Sequence, residues 1–150
     1  MRYTIVQTLL LLLLFGSWLL PDRLLLFERT TTTGAVASTL MVASVLLGVL
    51  ALASLRGEFR LSPEPRNDGR LVTHGVYRHL RHPMYTAVVL LAVGLFLSKP
   101  TADMALAVAT VVAFYLIKAK HEEKLLSVRY PEYERHRARS FGVLPLRRGS

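Results

Sequence analysis

The 150-residue chain contains no cysteine. This absence excludes disulfide bonds, thiolate nucleophiles and cysteine-ligated metal sites, and it leaves the redox compartment undetermined. Acidic residues are also scarce, because 10 Asp and Glu residues stand against 19 Lys and Arg residues, for a formal net charge of +9. The basic residues form no nucleic-acid reading module, so nucleic acid is not an expected partner. We attribute the excess positive charge to the topology of a membrane protein, whose cytoplasmic segments are rich in Lys and Arg, and to attraction to anionic lipid headgroups.

Long uncharged stretches dominate the sequence. Hydrophobic residues make up 52% of the chain, and the leucine runs are too apolar for the surface of a water-soluble protein. They predict an all-α integral membrane protein with a single domain over residues 1–150. Four transmembrane helices are expected at about residues 5–20, 35–55, 83–98 and 102–117. The apolar part of the third, residues 84–97, spans only about 21 Å as a helix. The third helix is therefore expected to begin upstream at Pro83, or its hairpin crosses the bilayer incompletely.

The N-terminal apolar run is similar to a signal peptide, but no small-x-small cleavage pattern follows it. We therefore expect a retained first span. After Pro21, residues 24–27 are apolar again, and two possibilities stay open: the helix continues past a proline kink, or these residues lie at the interface. Residues 30–34 are expected to form a polar break before the second span. Gly48 and nearby small residues in that span permit close helix packing, although small residues are common in membrane helices.

Orientation follows from the basic residues. The loop at residues 56–82 and the tail at residues 118–150 carry most of the Lys and Arg, whereas the opposite side holds only Arg23, Arg29 and Lys99. The positive-inside rule then predicts a multi-pass protein with this loop, this tail and both termini in the cytoplasm. Loop and tail are expected to meet on one face of the molecule.

Two regions carry possible chemistry. The first, residues 71–85, reads Leu-Val-Thr-His-Gly-Val-Tyr-Arg-His-Leu-Arg-His-Pro-Met-Tyr. In the second, residues 118–128 predict a helix that leaves the membrane and carries the adjacent acids Glu122 and Glu123. Tyr130-Pro131 ends this helix, and Glu132-Tyr133 and a basic run follow. Taken alone, the tail is typical of a solvated, salt-bridged helix and a headgroup-binding segment.

Together the two regions resemble the isoprenylcysteine carboxyl methyltransferase family and its phospholipid methyltransferase relatives. The resemblance covers residues 71–145 and rests on Arg-His-Pro-x-Tyr, a helical hairpin, the glutamate pair and Tyr-Pro-Glu-Tyr followed by Leu-Pro. It implies an S-adenosylmethionine-dependent transferase whose cofactor binds near the cytoplasmic face. The implied partners are the lipid bilayer and a lipophilic methyl acceptor.

Position by position, the resemblance implies a set of cofactor contacts: Leu71, Val72, Tyr77, His82, Pro83, Met84, Tyr85, Glu122 and Glu123. Lys118 stands where family members often carry an arginine associated with the acceptor, and it is the implied catalytic residue. Lysine keeps the charge but loses the bidentate fork that suits a carboxylate. Ala87, where glycine is common, and His136, where tyrosine is common, are two further departures.

The chemistry of these residue types suits the implied cofactor. Adenosylmethionine is a sulfonium cation with a ribose diol, so carboxylate acceptors and aromatic faces favour its binding. Glu122, Tyr77 and Tyr85 offer these groups. An amine or thiol acceptor needs its proton removed, for which His74 and His79 are candidates, whereas an anionic acceptor needs no base.

Simpler interpretations remain open. His82 alone caps the third helix; Tyr77 and Tyr85 are interfacial anchors; Lys118 snorkels to the interface; and His74 and His79 are exposed loop residues. A metal site is not expected, because Pro83 follows His82 and a third ligand is missing. An NADPH-dependent membrane reductase and a non-catalytic membrane module are the alternative functions. The sequence leaves the acceptor and the oligomeric state undetermined.

Overall fold

The structure, a computed structural model, describes residues 2–21, 24–55 and 71–143. Its elements in chain order are α1 (Arg2–Leu19), α2 (Thr31–Ser54), a 3-10 turn (Gly75–Arg78), α3 (Pro83–Ser98), α4 (Ala102–Arg129) and α5 (Tyr133–Arg139). The all-helical prediction is confirmed for this part of the chain, where β-structure is limited to two isolated bridges. Most of the basic loop, at residues 56–70, and the end of the tail, including Pro145, lie outside the described residues.

The first helix ends before Pro21 and does not continue through residues 24–27. A proline ring is incompatible with the interior of a helix, so a break at this point is expected. The chain then runs beside the α3–α4 turn, where Leu26 N donates to Pro100 O at 2.8 Å and Ala102 N donates to Leu24 O at 3.0 Å. Of the two possibilities left open, continuation of the helix is therefore wrong.

The second helix begins at Thr31, four residues earlier than position 35 predicted from hydropathy. Thr30 and Thr33 form a reciprocal cap, in which each side chain bonds the other's backbone N–H at 3.1 and 2.9 Å. Such a cap satisfies N–H groups that the first turn otherwise leaves unpaired. The expected polar break at residues 30–34 is thus wrong, because its threonines start the helix.

Helices α2 and α3 pack closely through small residues. Ser44 Oγ donates to the carbonyl oxygen of Ala87 at 2.7 Å between the two helices. A Cβ atom added at Gly94 would lie 2.9 Å from Met41 Cγ and 3.1 Å from Ala37 O, so this position requires glycine. Close packing along α2 therefore occurs as expected, but it depends on a glycine of α3 that the sequence analysis did not single out.

Two helices, α2 with 24 residues and α4 with 28, are long and apolar enough to cross a membrane by length and composition. Helices α1 and α3 are shorter apolar helices. The 16 residues of α3 extend about 24 Å, less than a hydrocarbon core of about 30 Å. The four-span arrangement and the orientation of the termini stay predictions. Helix α4 runs without interruption from its apolar part into the predicted tail helix.

The packed core lies where α1, α3 and α4 meet. Its largest buried side chains include Leu14, Met104 and Tyr115. The outer faces of α1 and α2 instead expose large apolar side chains, such as Leu12 and Val45. A contiguous apolar exterior of this kind is typical of a surface covered by lipid. The core thus holds together the helices whose ends carry the polar residues of the candidate site.

Candidate functional site

The loop before α3 and the end of the tail are joined by backbone pairing. Arg81 N donates to Phe141 O at 2.9 Å, and Phe141 N donates to His79 O at 2.8 Å. The Thr86 hydroxyl on α3 donates to Val143 O at 2.7 Å. The prediction that these two regions meet on one face is confirmed. We call this connection the tail clip.

The 3-10 turn before α3 is anchored at the end of α2. Gly75 has a φ of +57°, a conformation that L-amino acids with side chains rarely adopt. An added Cβ atom there would lie only 2.3 Å from Ser54 Oγ. Glycine is therefore required, and the close approach fixes the position of Tyr77 in the same turn.

Glu122 faces the aromatic rings of Tyr85 and His82 at the start of α3. The Tyr85 hydroxyl donates to both Glu122 oxygens, at 2.7 and 2.8 Å. The His82 ring stacks on the Tyr85 ring, with centroids 5.2 Å apart and planes 4° from parallel. The Glu122 side chain is 32% exposed. This carboxylate is thus oriented by a tyrosine and remains accessible.

Glu123, the next residue, is enclosed by cationic side chains. Arg81 Nε lies 2.9 Å from its Oε1 atom, and Arg137 Nε lies 3.8 Å from Oε2. The Arg81 guanidinium also donates to the carbonyl oxygens of Arg137, at 3.0 Å, and of Ser140. The Glu123 side chain is only 14% exposed. Glu123 therefore links the residues just before α3 and helix α5 to α4.

The charge of Glu123 is maintained by these neighbours. Glu123 lies beyond Ile117, where the apolar part of α4 ends. Burial alone would raise the pKa of its carboxyl group, but His82 and Arg81 outweigh burial and lower the pKa to about 2. Glu123 is thus a carboxylate throughout the physiological pH range.

His82 lies between the two glutamates and is 7% exposed. Its Nδ1 atom is 3.8 Å from Glu122, and its Nε2 atom is 3.3 Å from Glu123. The second contact lacks hydrogen-bond geometry, so Nε2 is buried without a hydrogen-bond partner among the described residues. His82 is the N-cap residue of α3, but its side chain makes no capping bond. The interpretation of this side chain as a helix cap is therefore wrong.

Lys118 lies on the other side of Glu122. Its ammonium group donates to Gln7 Oε1 at 3.0 Å, lies 3.9 Å from Glu122 Oε1, and sits 5.0 Å from the centroid of the Tyr85 ring. The residue is 9% exposed. The snorkelling interpretation is wrong, because the ammonium group is held inside the helix assembly.

Five of the predicted site residues thus come together: His82, Tyr85, Lys118, Glu122 and Glu123. We call them the acid cluster. Pro83 is the first residue of α3, and Tyr77 is half-buried, which raises the pKa of its hydroxyl. The remaining predicted contacts are half-buried, and no hydrogen bond or ring contact among the described residues links them to the acid cluster: Leu71, Val72 and Met84.

The two histidines considered as bases, His74 and His79, are exposed. Their side chains make no hydrogen bond or ring contact with the acid cluster within the described ranges. His136, a departure from the family pattern, is half-buried, and burial together with the charge of Arg81 lowers its pKa. None of these three residues is placed to remove a proton beside Glu122.

Sequence reasoning missed three residues near the cluster. Arg81 was counted in the basic loop and in the Arg-His-Pro-x-Tyr motif, but it was not predicted to contact Glu123. Gln7 is the only amide side chain within α1, a signal that could have identified it, since polar groups inside apolar helices are costly. Tyr115 left no signal; its ring centroid lies 4.9 Å from that of Tyr85, and its buried hydroxyl has no partner among the described residues.

A cavity of about 240 Å³ lies against the outer side of α4, lined by Lys120, Glu123, Lys124, Ser127 and Arg137. It is smaller than the roughly 300–1,000 Å³ of typical small-molecule sites. It shares only Glu123 with the acid cluster. We therefore place the candidate site at Glu122 and not in this cavity.

These features define a class: a helical membrane protein with ionisable residues gathered where two packed helices meet a polar loop and tail. The comparison with protein families makes the class specific. The family model described as phospholipid methyltransferase matches residues 32–133, which is more than half of the chain. The chain belongs to this family and is a membrane methyltransferase. No curated protein and no solved structure gave a significant match.

The match has two consequences. It confirms the resemblance drawn from the sequence, and it does not favour the reductase or the non-catalytic module. It also leaves α1 outside the matched residues, together with the part of the tail after Tyr133. The contact between Gln7 and Lys118 therefore joins the matched region to a helix that lies outside the matched residues.

Proposed function

We propose that the protein transfers the methyl group of S-adenosylmethionine to a lipophilic acceptor, with the cofactor bound at Glu122. The observation that carries the proposal is the state of this carboxylate. Glu122 is accessible, oriented by the Tyr85 hydroxyl and flanked by the stacked His82 ring. Its neighbour Glu123, in contrast, is already occupied by arginines.

The residues of the acid cluster fit this cofactor in kind. A carboxylate offers about four lone-pair positions, so Glu122 retains capacity for ribose hydroxyls after it accepts the bond from Tyr85. The faces of His82 and Tyr85 suit a sulfonium cation or an adenine ring. When bound, the cofactor supplies a methyl group on a positively charged sulfur.

The protein contributes mainly the positions of the binding groups. Pro83 fixes the start of α3, which sets the places of His82 and Tyr85 above α4. Holding a donor and an acceptor at near-attack distance contributes several kcal/mol in well-oriented reactions. Since His74 and His79 face solvent, an acceptor that is already anionic suits the site better than one that must first lose a proton.

The direct test is calorimetric titration of the detergent-purified protein with S-adenosylhomocysteine. We expect micromolar binding that is lost in Glu122→Gln and His82→Ala. Glu132→Gln is the matched control, because Glu132 is exposed and makes no side-chain capping bond. Circular dichroism establishes that each variant is folded. Failure of the folded wild type to bind, with binding of NADPH instead, would overturn the proposal.

A second assay addresses the acceptor. Adenosylmethionine labelled in its methyl group is incubated with three lipophilic candidates: a prenylated cysteine with a free carboxylate, phosphatidylethanolamine vesicles and an alkyl thiol. We expect label to pass into one of these lipid fractions. Label that stays in the aqueous phase with all three, although the cofactor binds, would contradict a lipophilic acceptor of these classes.

A further inference from the structure

The contact between α1 and α4 at Gln7 is unusual for apolar helices. The Gln7 amide oxygen accepts a hydrogen bond from the Lys118 ammonium group at 3.0 Å. Lysine has only donors, so the oxygen and not the nitrogen of the amide faces it. A polar pair inside apolar helices is costly to keep and commonly marks a functional site. Gln7 is half-buried and belongs to the helix that the family match leaves out.

The ammonium group of Lys118 is incompletely paired. It has three N–H donors, of which Gln7 takes one. Glu122 Oε1 lies at 3.9 Å, within ion-pair range but beyond hydrogen-bond distance, and the Tyr85 ring offers only its face at 5.0 Å. A nearly buried cation with unused donors is unfavourable unless something else binds it. The Lys118 ammonium group can therefore bind a further, anionic partner.

The neutrality of Gln7 determines what this arrangement can do. A carboxylate at this position would pair with the ammonium group and cancel its charge. An amide holds the group in place and leaves the charge available. Without Gln7, attraction to Glu122 four residues along the same helix would draw the ammonium group from 3.9 Å into direct hydrogen-bond contact. That contact would occupy the carboxylate proposed to hold the cofactor.

We infer that Gln7 is a positioning residue, which holds the Lys118 ammonium group short of hydrogen-bond contact with Glu122 so that it binds the anionic head of a lipophilic ligand. If the proposed function holds, this ligand is the methyl acceptor. Only this identification of the ligand rests on the proposed function; the anion site at Lys118 does not. Helix α1 then forms part of the acceptor site. The charge at Lys118 favours an anionic head over a cationic one of the same chain length.

The test uses two probes that differ only in the charge of the head, dodecanoate and dodecylammonium, titrated into the purified protein in a neutral detergent. We expect dodecanoate to bind the wild type about tenfold more tightly, as one close charge pair of about 1.4 kcal/mol would produce. Lys118→Met removes the preference, and Gln7→Leu weakens dodecanoate binding several-fold. Equal binding of both probes to the wild type would overturn the inference.

Two further variants separate positioning from a merely structural role. Gln7→Glu keeps a partner for Lys118, so the fold is retained, but it neutralises the cation and should abolish the preference for dodecanoate. A structural role predicts no such loss. Thr8→Val is the matched control, because the Thr8 hydroxyl bonds only its own helix, at Thr4 O. Gln7→Leu should have no further effect on binding in the Lys118→Met background.

Parallel titration with S-adenosylhomocysteine keeps the two proposals distinguishable. Lys118→Met should lose more affinity for dodecanoate than for S-adenosylhomocysteine; an equal or greater loss for S-adenosylhomocysteine would assign Lys118 to the cofactor and overturn the inference. Anion selectivity without any binding of S-adenosylhomocysteine would instead refute the proposed function and leave the Gln7–Lys118 site standing. Unchanged dodecanoate binding in both Gln7 variants would show that Gln7 positions nothing.

Discussion

Glu122 and Glu123 are adjacent in the sequence, yet they have different surroundings. Successive residues of an α-helix point about 100° apart, so the pair addresses two sides of α4. Glu122 accepts its hydrogen bond from the Tyr85 hydroxyl, has the nitrogen atoms of His82 and Lys118 no nearer than 3.8 and 3.9 Å, and is 32% exposed. Glu123 meets two arginines and a histidine and is nearly enclosed. The first is available to a ligand, whereas the second connects the residues just before α3 with α4 and α5.

The difference shows which of the two adjacent carboxylates can bind a ligand and which has a structural role. A carboxylate that is saturated by cations has little left to offer a ligand, and its removal leaves those cations buried without a partner. A carboxylate whose hydrogen bond comes from a neutral hydroxyl, with its cationic neighbours beyond hydrogen-bond distance, keeps free lone pairs for a ligand. The number and charge of its partners therefore indicate function better than the presence of an acid does.

The largest effect is expected for Glu123→Gln. Loss of this charge leaves Arg81 and His82 without their anionic partner, and breaking a buried pair in this way commonly costs 3–5 kcal/mol. We expect a loss of about 3 kcal/mol in the free energy of unfolding, measured by denaturant titration in detergent micelles. Glu122→Gln is the matched control and should lose far less. Equal losses in the two variants would erase the distinction between the glutamates.

A smaller effect is expected for Tyr85→Phe. The hydroxyl group donates to both oxygens of a charged group, a bond worth about 1.5–3 kcal/mol. Without it Glu122 loses its orientation, so the affinity for S-adenosylhomocysteine should fall about tenfold or more. Tyr115→Phe is the control, since that hydroxyl has no hydrogen-bond partner in the described part of the chain. Greater damage from the control than from Tyr85→Phe would contradict this account of Glu122.

The two glutamates should also differ in their dependence on pH. The pKa of Glu123 is lowered from 4.5 to about 2, because His82 and Arg81 outweigh the opposing effect of burial. A lowered pKa in the folded state stabilises the protein above pH 4.5, and this contribution is lost as the pH falls towards 2. The stability difference between wild type and Glu123→Gln should therefore be constant from pH 7 to about 5 and shrink below that.

The measurement is denaturant titration of both proteins at a series of pH values between 7 and 3. The difference between the two curves isolates Glu123 from the other carboxyl groups, which titrate in both proteins alike. A difference that already declines between pH 7 and 6 would mean that the charge of Glu123 is not held by Arg81 and His82 as the structure shows.

Much of this arrangement could be predicted from the sequence. Hydropathy indicated helices, Pro83 indicated the start of α3, and the motif around His82 together with the glutamate pair indicated the family. Local signals of this kind depend on residues close together in the chain. The extension of α2 through residues 31–34 was missed because hydropathy does not register a threonine cap.

The division of labour between the two glutamates could not be predicted. It depends on Arg81 and Arg137, which are 42 and 14 residues away from Glu123 and reach it only because the tail folds back on α3. The Gln7–Lys118 contact, across 111 residues, is of the same kind. Such pairs follow from the packing of α1, α3 and α4, which no spacing in the sequence encodes.

The smallest effect is expected at the tail clip, for Thr86→Val. The Thr86 hydroxyl bonds both its own helix, at His82 O, and the tail, at Val143 O. Its loss should cost about 1 kcal/mol locally. Exchange of the Phe141 amide hydrogen, which bonds His79 O, should then accelerate about fivefold, because local opening governs exchange.

Thr110→Val is the matched control for this variant, because the Thr110 hydroxyl bonds only its own helix, at Leu106 O. The clip holds the Glu123 side of α4 and does not contact Glu122. Thr86→Val should therefore leave the affinity for S-adenosylhomocysteine close to that of the wild type while it loosens the tail. A loss of affinity as large as that of Tyr85→Phe would mean that the two sides of α4 act as one site, and the contrast between Glu122 and Glu123 would no longer hold.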